Sequence, residues 1–252
     1  MIIEERILET EKYKILKGGD RLLLQWLDDE TSYVTEMNLS APDQLESEYM
    51  RKMLQPLVFI PKPRDVVLIG LGGGQQAKFV HRYLPELRLL ALEIDPEVVD
   101  IARTHFGLPA DDERLQVVVA DAVDFIEEYQ GQCDLILSDA FGKDNCMVDA
   151  LHTAQFYRAC HHMLRAGGLM TINIYRPPAG WAATYVPMLS DIFAHKEFLV
   201  VAPDRGVMVL WKDAPDFAWE EINERAAKFH AKTGLDFGSH CFAGRSFAPE
   251  IC

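Results

Sequence analysis

Between residues 65 and 174 the chain alternates short apolar runs with amphipathic stretches, and no other feature restricts its fold as strongly. Runs at 65–70, 88–93, 115–119, 134–139 and 168–174 have the length and composition of buried strands. Helical patterns fall between them, near 74–84, 96–106, 122–129 and 150–164. Strands separated by helices form right-handed β-α-β units, so the expectation is a parallel sheet with helices on both faces. The alternation then breaks. A helix near 180–194 leads to runs at 197–202 and 207–211, joined only by Pro203-Asp204-Arg205-Gly206. Strands joined by so short a turn must be antiparallel. The predicted fold class is therefore α/β: a seven-stranded, mostly parallel sheet ending in an antiparallel hairpin.

Residues 1–42 read as a small β-rich unit. Runs at 12–17, 21–27 and 31–37 are separated by the turn signals Gly18-Gly19-Asp20 and Asp28-Asp29. Ser40-Ala41-Pro42-Asp43 is expected to open a helix whose buried face carries Leu45, Tyr49, Met53, Leu54 and Leu57. Residues 43–252 are then the α/β domain. It closes with a helix near 216–231 and a tail from 233 in which Phe237, Phe242 and Phe247 are expected to pack.

The strand ends carry the chemistry. Gly70-Leu71-Gly72-Gly73-Gly74 follows the first strand, where glycines let a ligand approach the backbone and the helix start offers unpaired N–H groups. Glu93 ends the second strand at the spacing from which an acid accepts ribose hydroxyls. Asp121 ends the third and Asp139 the fourth. Ligands of open α/β sheets bind outside these carboxyl ends. Each acid alone is also a plausible helix cap, Asp121 above all. Two nucleotide-type ligands compete. A dinucleotide pyrophosphate prefers G-x-G-x-x-G, and Gln75 stands at the sixth position. The terminal hairpin and Asp121 fit S-adenosylmethionine or a derivative better.

Composition excludes some partners. Thirty-nine acidic and 25 basic residues give a net charge of −14, which argues against a nucleic-acid surface and against an anionic membrane. No basic stretch precedes an apolar one at the N-terminus, and no apolar run is long enough to span a bilayer. Cys133, Cys146, Cys160, Cys241 and Cys252 are odd in number and widely spaced, as suits reduced thiols of a cytoplasmic protein. His161-His162 and His152 lack chelating geometry, and no metal site is expected.

Val67-Leu68-Ile69-Gly70-Leu71-Gly72-Gly73-Gly74, Leu92-Glu93-Ile94-Asp95-Pro96, Ala120-Asp121-Ala122 and the stretch from Cys133 to Phe141 resemble the spermidine synthase-like group of the polyamine aminopropyltransferases. That family shares the fold of S-adenosylmethionine-dependent methyltransferases. The resemblance runs from about residue 22 to 211. It implies transfer of an aminopropyl group from decarboxylated S-adenosylmethionine to a small-molecule amine, with Asp139 as the catalytic carboxylate. It places Glu93 on the ribose, Asp121 and Ala122 on the adenine, Gly70, Gly72, Gly74 and Gln75 around the donor, and Tyr49 and Tyr175 along the amine channel. It also implies a homodimer.

Three polyamine-specific features are missing. The family reads G-G-G-D-G-G at the glycine turn, where this chain has Gly72-Gly73-Gly74-Gln75-Gln76-Ala77. The second acid of D-x-x-D-P is replaced by Gly142, with Asp144 two residues beyond, and the Tyr-His pair is Tyr49-Met50. Three functions follow from the sequence: an aminopropyltransferase, a small-molecule methyltransferase using intact S-adenosylmethionine, and a non-catalytic nucleoside-binding protein.

Overall fold

The computed structural model describes residues 5–29, 33–143 and 146–237. Asp144, Cys241, Phe242, Phe247 and Cys252, all singled out in the sequence, lie outside the described residues. Two sheets organise the rest. Strands β1 (Glu5–Glu9), β2 (Tyr13–Gly18), β3 (Arg21–Trp26) and β4 (Thr35–Asn38) form an antiparallel sheet in sequential order. The sequence reading had omitted β1, whose side chains are nearly all exposed and so carry no apolar alternation. Tyr13, Ile15, Leu22, Leu24 and Met37 of this sheet pack on Val98, Ile101 and Phe106.

The larger sheet is built as the alternation required. Its strands are β5 (Asp65–Ile69), β6 (Arg88–Glu93), β7 (Leu115–Val119), β8 (Cys133–Ser138), β9 (Leu164–Tyr175), β10 (His195–Ala202) and β11 (Arg205–Trp211). They lie in the order β10-β11-β9-β8-β5-β6-β7. The pairs among β5 to β9 are parallel, and β11 runs antiparallel to both β9 and β10. Side chains alternate between faces. Val66 and Leu68 enter one core, while Val67 and Ile69 enter the other. The first core packs under α1 (Glu48–Leu54), α2 (Gln75–Tyr83) and α7 (Trp219–Thr233). The second packs under α4 (Ala122–Glu128), α5 (Ala154–Met163) and α6 (Trp181–Ser190), while α3 (Pro96–His105) meets both the first core and the N-terminal sheet.

Two helices differ from expectation. The first begins at Glu48 after Ser47, not at residues 40–43. The earlier segment is held by side chains from outside it: the Pro42 carbonyl accepts from the buried Lys78 ammonium at 2.7 Å, and Asn38 Oδ1 accepts from the Ser40 N–H. Of the five apolar positions, Leu45, Met53, Leu54 and Leu57 are buried and Tyr49 is half-buried, but Leu45 precedes α1 and Leu57 lies beyond it. The pattern over 150–164 divides into a 3₁₀ turn, Asp149–His152, and α5, because the Thr153 hydroxyl caps the latter through the Phe156 N–H. In the tail, Phe237 packs against Phe229 with ring centroids 5.1 Å apart. Cys133 and Cys160 are free and buried, and Cys146 is free and exposed. No helix of the described residues is long and apolar enough to cross a membrane.

Candidate active site

The carboxyl ends of β8, β5, β6 and β7 stand side by side, so Asp139, Gly70, Glu93 and Asp121 form a row across four neighbouring strands. Strand spacing is about 4.8 Å, which puts Asp139 and Glu93 about 10 Å apart with the glycine turn between them. A cavity of about 440 Å³ opens over this row. The N-terminal sheet roofs it through Tyr13, Trp26, Thr35 and Glu36.

Gly70 is required by geometry. Its φ is +87°, and a Cβ there would lie 2.7 Å from the Asp139 carbonyl and 2.8 Å from Ala140 Cα. The glycine thus lets β8 leave the sheet directly beside the turn. Gly73 is fixed differently: a Cβ would lie 2.5 Å from Thr35 Cγ2, so the N-terminal sheet could not close on the turn.

Glu93 is oriented by backbone. Its Oε2 accepts from the Leu71 N–H at 2.9 Å and its Oε1 from the Asp95 N–H at 3.1 Å. A carboxylate held this way keeps further lone pairs for ligand hydroxyls. Asp121 caps α4, accepting from the Val123 N–H at 2.8 Å, and it also lines the cavity with Ala122 and Val123. The capping and the ligand-facing readings of Asp121 are therefore compatible.

Asp139 sits at the opposite end. Asn173 Nδ2 donates to Oδ1 at 2.7 Å and Gln76 Nε2 donates to Oδ2 at 2.8 Å. The Tyr49 phenol hydrogen-bonds the same carboxylate. Burial pushes the Asp139 carboxyl up to about 6, opposed by these three donors and by the charge of Arg205. Burial, reinforced by the Asp139 charge, holds the Tyr49 phenol well above its ordinary value, so it stays a neutral donor. Tyr175 and Arg205 complete this end. The guanidinium lies 4.0 Å from the Tyr175 ring centroid and 5.2 Å from that of Tyr49.

Most residues anticipated from sequence meet here: Asp139, Gly70, Gly72, Glu93, Asp121, Ala122, Tyr49 and Tyr175 all line the cavity. Gly74 and Gln75 do not. Gly74 turns with φ +76° against Leu108, and Gln75 is buried with its Oε1 accepting from the Thr35 hydroxyl at 2.8 Å. Successive helix positions point about 100° apart, so Gln75 faces the N-terminal sheet and Gln76 faces Asp139. Gln75, expected around the donor, is thus placed behind the cavity wall, and Gln76 is the one that reaches Asp139. Trp181 stacks on Tyr185 in the second core and does not line the cavity.

The sequence reading missed Gln76, Asn173 and Arg205. Asn173 had a signal: it is an amide inside the apolar run Met170-Thr171-Ile172-Asn173-Ile174, and a buried polar group needs a partner. Gln76 and Arg205 had none, since both look like surface residues of a helix and a turn. The described residues contain no cluster of His, Cys, Asp or Glu that could hold a metal ion.

Comparison with known proteins places the chain in a family. Residues 45–176 match the spermine/spermidine synthase domain model. The polyamine aminopropyltransferase of Chromobacterium violaceum is 30% identical over 207 residues, covering 81% of this chain and 78% of that one. A spermidine synthase solved with the transition-state analogue AdoDATO superposes with a TM-score of 0.71 at 19% identity, covering 93% of this chain and 87% of that one. Human methyltransferase-like protein 13, solved with SAH, gives 0.66 at 21% identity over 81% of this chain and 96% of that one. The two structural likenesses show the shared methyltransferase-like fold. The family match covers more than half of the chain, and a named relative is 30% identical over 81% of it: the chain belongs to the spermine/spermidine synthase family.

Proposed function

We propose that the protein transfers an aminopropyl group from decarboxylated S-adenosylmethionine to a polyamine-type amine. The observation that carries this is the row of Asp139, Gly70, Glu93 and Asp121 under one cavity. A nucleoside donor fits that row from end to end. Ala122 and Val123 flank the adenine, with Asp121 at its edge. Glu93, held by two backbone N–H groups, accepts from the ribose hydroxyls. Gly70 and Gly72 leave room for the sulfonium, and Asp139 lies where the chain beyond sulfur ends.

The donor supplies a carbon activated by positive sulfur. The protein's task is to present a neutral amine to it. Amines are protonated near neutral pH, so the site must hold an ammonium and remove one proton. Asp139 is ionised above about pH 6 and can do both. The amine nitrogen bonds to the methylene, the C–S electrons return to sulfur, and neutral methylthioadenosine leaves. Asp139 takes one proton from the bound ammonium before this attack, and the alkylated nitrogen leaves as an ammonium. Gln76, Asn173 and Tyr49 fix the carboxylate during this exchange without competing for the proton.

The test is incubation with decarboxylated S-adenosylmethionine and putrescine, followed by chromatography for methylthioadenosine. Release that is absent at high enzyme concentration rejects the proposal. A second reading is methyl transfer from intact S-adenosylmethionine. It is favoured by the position of Gln75, which leaves no acid from the glycine turn in the cavity to repel a methionine carboxylate. Calorimetry with the two donors separates the readings, because preference for the decarboxylated form excludes the second. The same family reading carries a cytoplasmic homodimer, which sedimentation of the purified protein tests for the assembly.

A further inference from the structure

We infer that Arg205 reads a carboxylate, so that the Asp139 end of the cavity takes a ligand carrying an amine and a carboxylate together. The amine half rests on the aminopropyl transfer proposed above; the carboxylate half rests on Arg205 itself.

Five acidic residues line the cavity: Glu36, Glu93, Asp95, Asp121 and Asp139. Among the described residues, Arg205 is the one Lys or Arg that lines it. It opens β11 directly opposite Tyr175 of β9, so the two side chains share a face of the sheet. Its carbon Cζ lies over the Tyr175 ring. Aromatic contact uses the face of a guanidinium and leaves its edge N–H groups for planar acceptors. The Nε of Arg205 is buried and has no hydrogen-bond partner. No carboxylate of the described residues pairs with Arg205 within 4.0 Å. The neighbouring cation just after β9 is already engaged, since Arg176 pairs with Asp204 at 3.4 Å on the surface.

This arrangement suits an amino acid better than a simple diamine, which it would still turn over but more slowly. Asp139 can offset the reacting ammonium, but a second ammonium at the same end would face a guanidinium. An amino acid places opposite charges against opposite charges: ammonium on Asp139, carboxylate in the fork of Arg205. Two ligands offer that chemistry, an amino-acid acceptor and the methionine end of an intact donor. Arg205 is then a specificity-determining residue, acting on which ligand is held rather than on bond making.

Matched probes decide between them. Putrescine and ornithine differ by one carboxylate, as do cadaverine and lysine, and as do decarboxylated and intact S-adenosylmethionine. Methylthioadenosine release from the decarboxylated donor is measured with all four acceptors, and binding of both donors by calorimetry. The variants are Arg205→Gln, Arg205→Glu and Arg205→Lys, each checked for folding by circular dichroism.

The expected result is a kcat/KM for ornithine or lysine about tenfold or more above that of its decarboxylated counterpart. Arg205→Gln lowers that ratio about tenfold, Arg205→Glu reverses it, and Arg205→Lys keeps it in part because charge remains without the fork. If the donor ratio moves and the acceptor ratio does not, the carboxylate belongs to an intact donor. Then the carboxylate inference stands and the aminopropyl reading fails. If no acceptor yields methylthioadenosine, the aminopropyl reading fails alone, and the donor ratio in Arg205→Gln still decides Arg205. If neither ratio moves in a folded variant, the inference is overturned. Should Arg205→Gln fail to fold, Arg205→Lys replaces it, and an unchanged pair of ratios there is equally decisive against the fork.

Discussion

The two ends of the cavity are built in different ways. At the Glu93 end, backbone positions the chemistry: Glu93 is held by the N–H of Asp95, two residues on, and by the N–H of Leu71 from the glycine turn, and no side chain of the described residues holds it. At the Asp139 end, side chains from distant elements do so: Gln76 of α2, Asn173 of β9, Tyr49 of α1 and Arg205 of β11. Backbone geometry follows from the fold, so the first end tolerates sequence change around it. The second depends on each side chain, and there the chain departs from the polyamine pattern. The two ends can therefore change independently, and on the proposed function the first would govern donor binding and the second acceptor choice.

Asp139→Asn tests the separation most severely. Turnover is expected to fall about 10²–10⁴-fold, the range for loss of a positioned base, while methylthioadenosine affinity holds within a few-fold. An equal loss of nucleoside affinity would falsify the division into two ends. The same variant should stabilise the free protein above pH 6. Asp139 titrates near 6 in the fold against 3.8 ordinarily, so the folded state binds more protons between these values. Its contribution is therefore favourable below about pH 4 and is lost as pH rises to about 6. Removing the buried charge should raise unfolding stability by about 1–3 kcal/mol at pH 8 and by little at pH 4, read from urea titrations at both.

The acceptor kcat/KM should show an acid limb, falling about tenfold per pH unit below about 6 as Asp139 takes up its proton. A limb that persists in Asp139→Asn would assign it elsewhere. Glu93→Gln should act on the other end, weakening methylthioadenosine binding about 10–100-fold by loss of charged hydrogen bonds. Adjacent glutamines give a sharper contrast. Gln76→Leu should lower acceptor kcat/KM about tenfold and move the acid limb upward, because a donor favouring the ionised carboxylate is gone. Gln75→Ala should leave kinetics unchanged and cost about 1–2 kcal/mol of stability through its lost bond to Thr35. The smallest effect is expected for Asp121→Asn. Asparagine caps as well as aspartate, so stability should change by less than about 0.5 kcal/mol and nucleoside affinity by a few-fold at most.

Much of the first end was legible in the sequence. Val66 to Ile69 announce a strand buried on both faces, and the acids after β6, β7 and β8 mark its carboxyl side. The start of α1 was not legible. The segment before Ser47 carries helix-opening residues, yet its carbonyl at Pro42 is claimed by Lys78 from α2. That contact joins residues far apart in sequence, and no local preference records it. Gln75 shows the same limit on a finer scale, since motif alignment named it while helix rotation gave its neighbour the contact with Asp139.

What the sequence determined by itself is the alternation of strands and helices, the antiparallel close, and the row of Gly70, Glu93, Asp121 and Asp139. Each follows from local periodicity or from residues at a strand's end. What only the tertiary structure decided is what surrounds Asp139. The donors from Gln76, Asn173 and Tyr49, the raised carboxyl and the guanidinium over Tyr175 exist because packing two sheets and their helices brings separate side chains to one point. Burial and charge there depend on three-dimensional neighbours, and these set the chemistry that the acceptor meets.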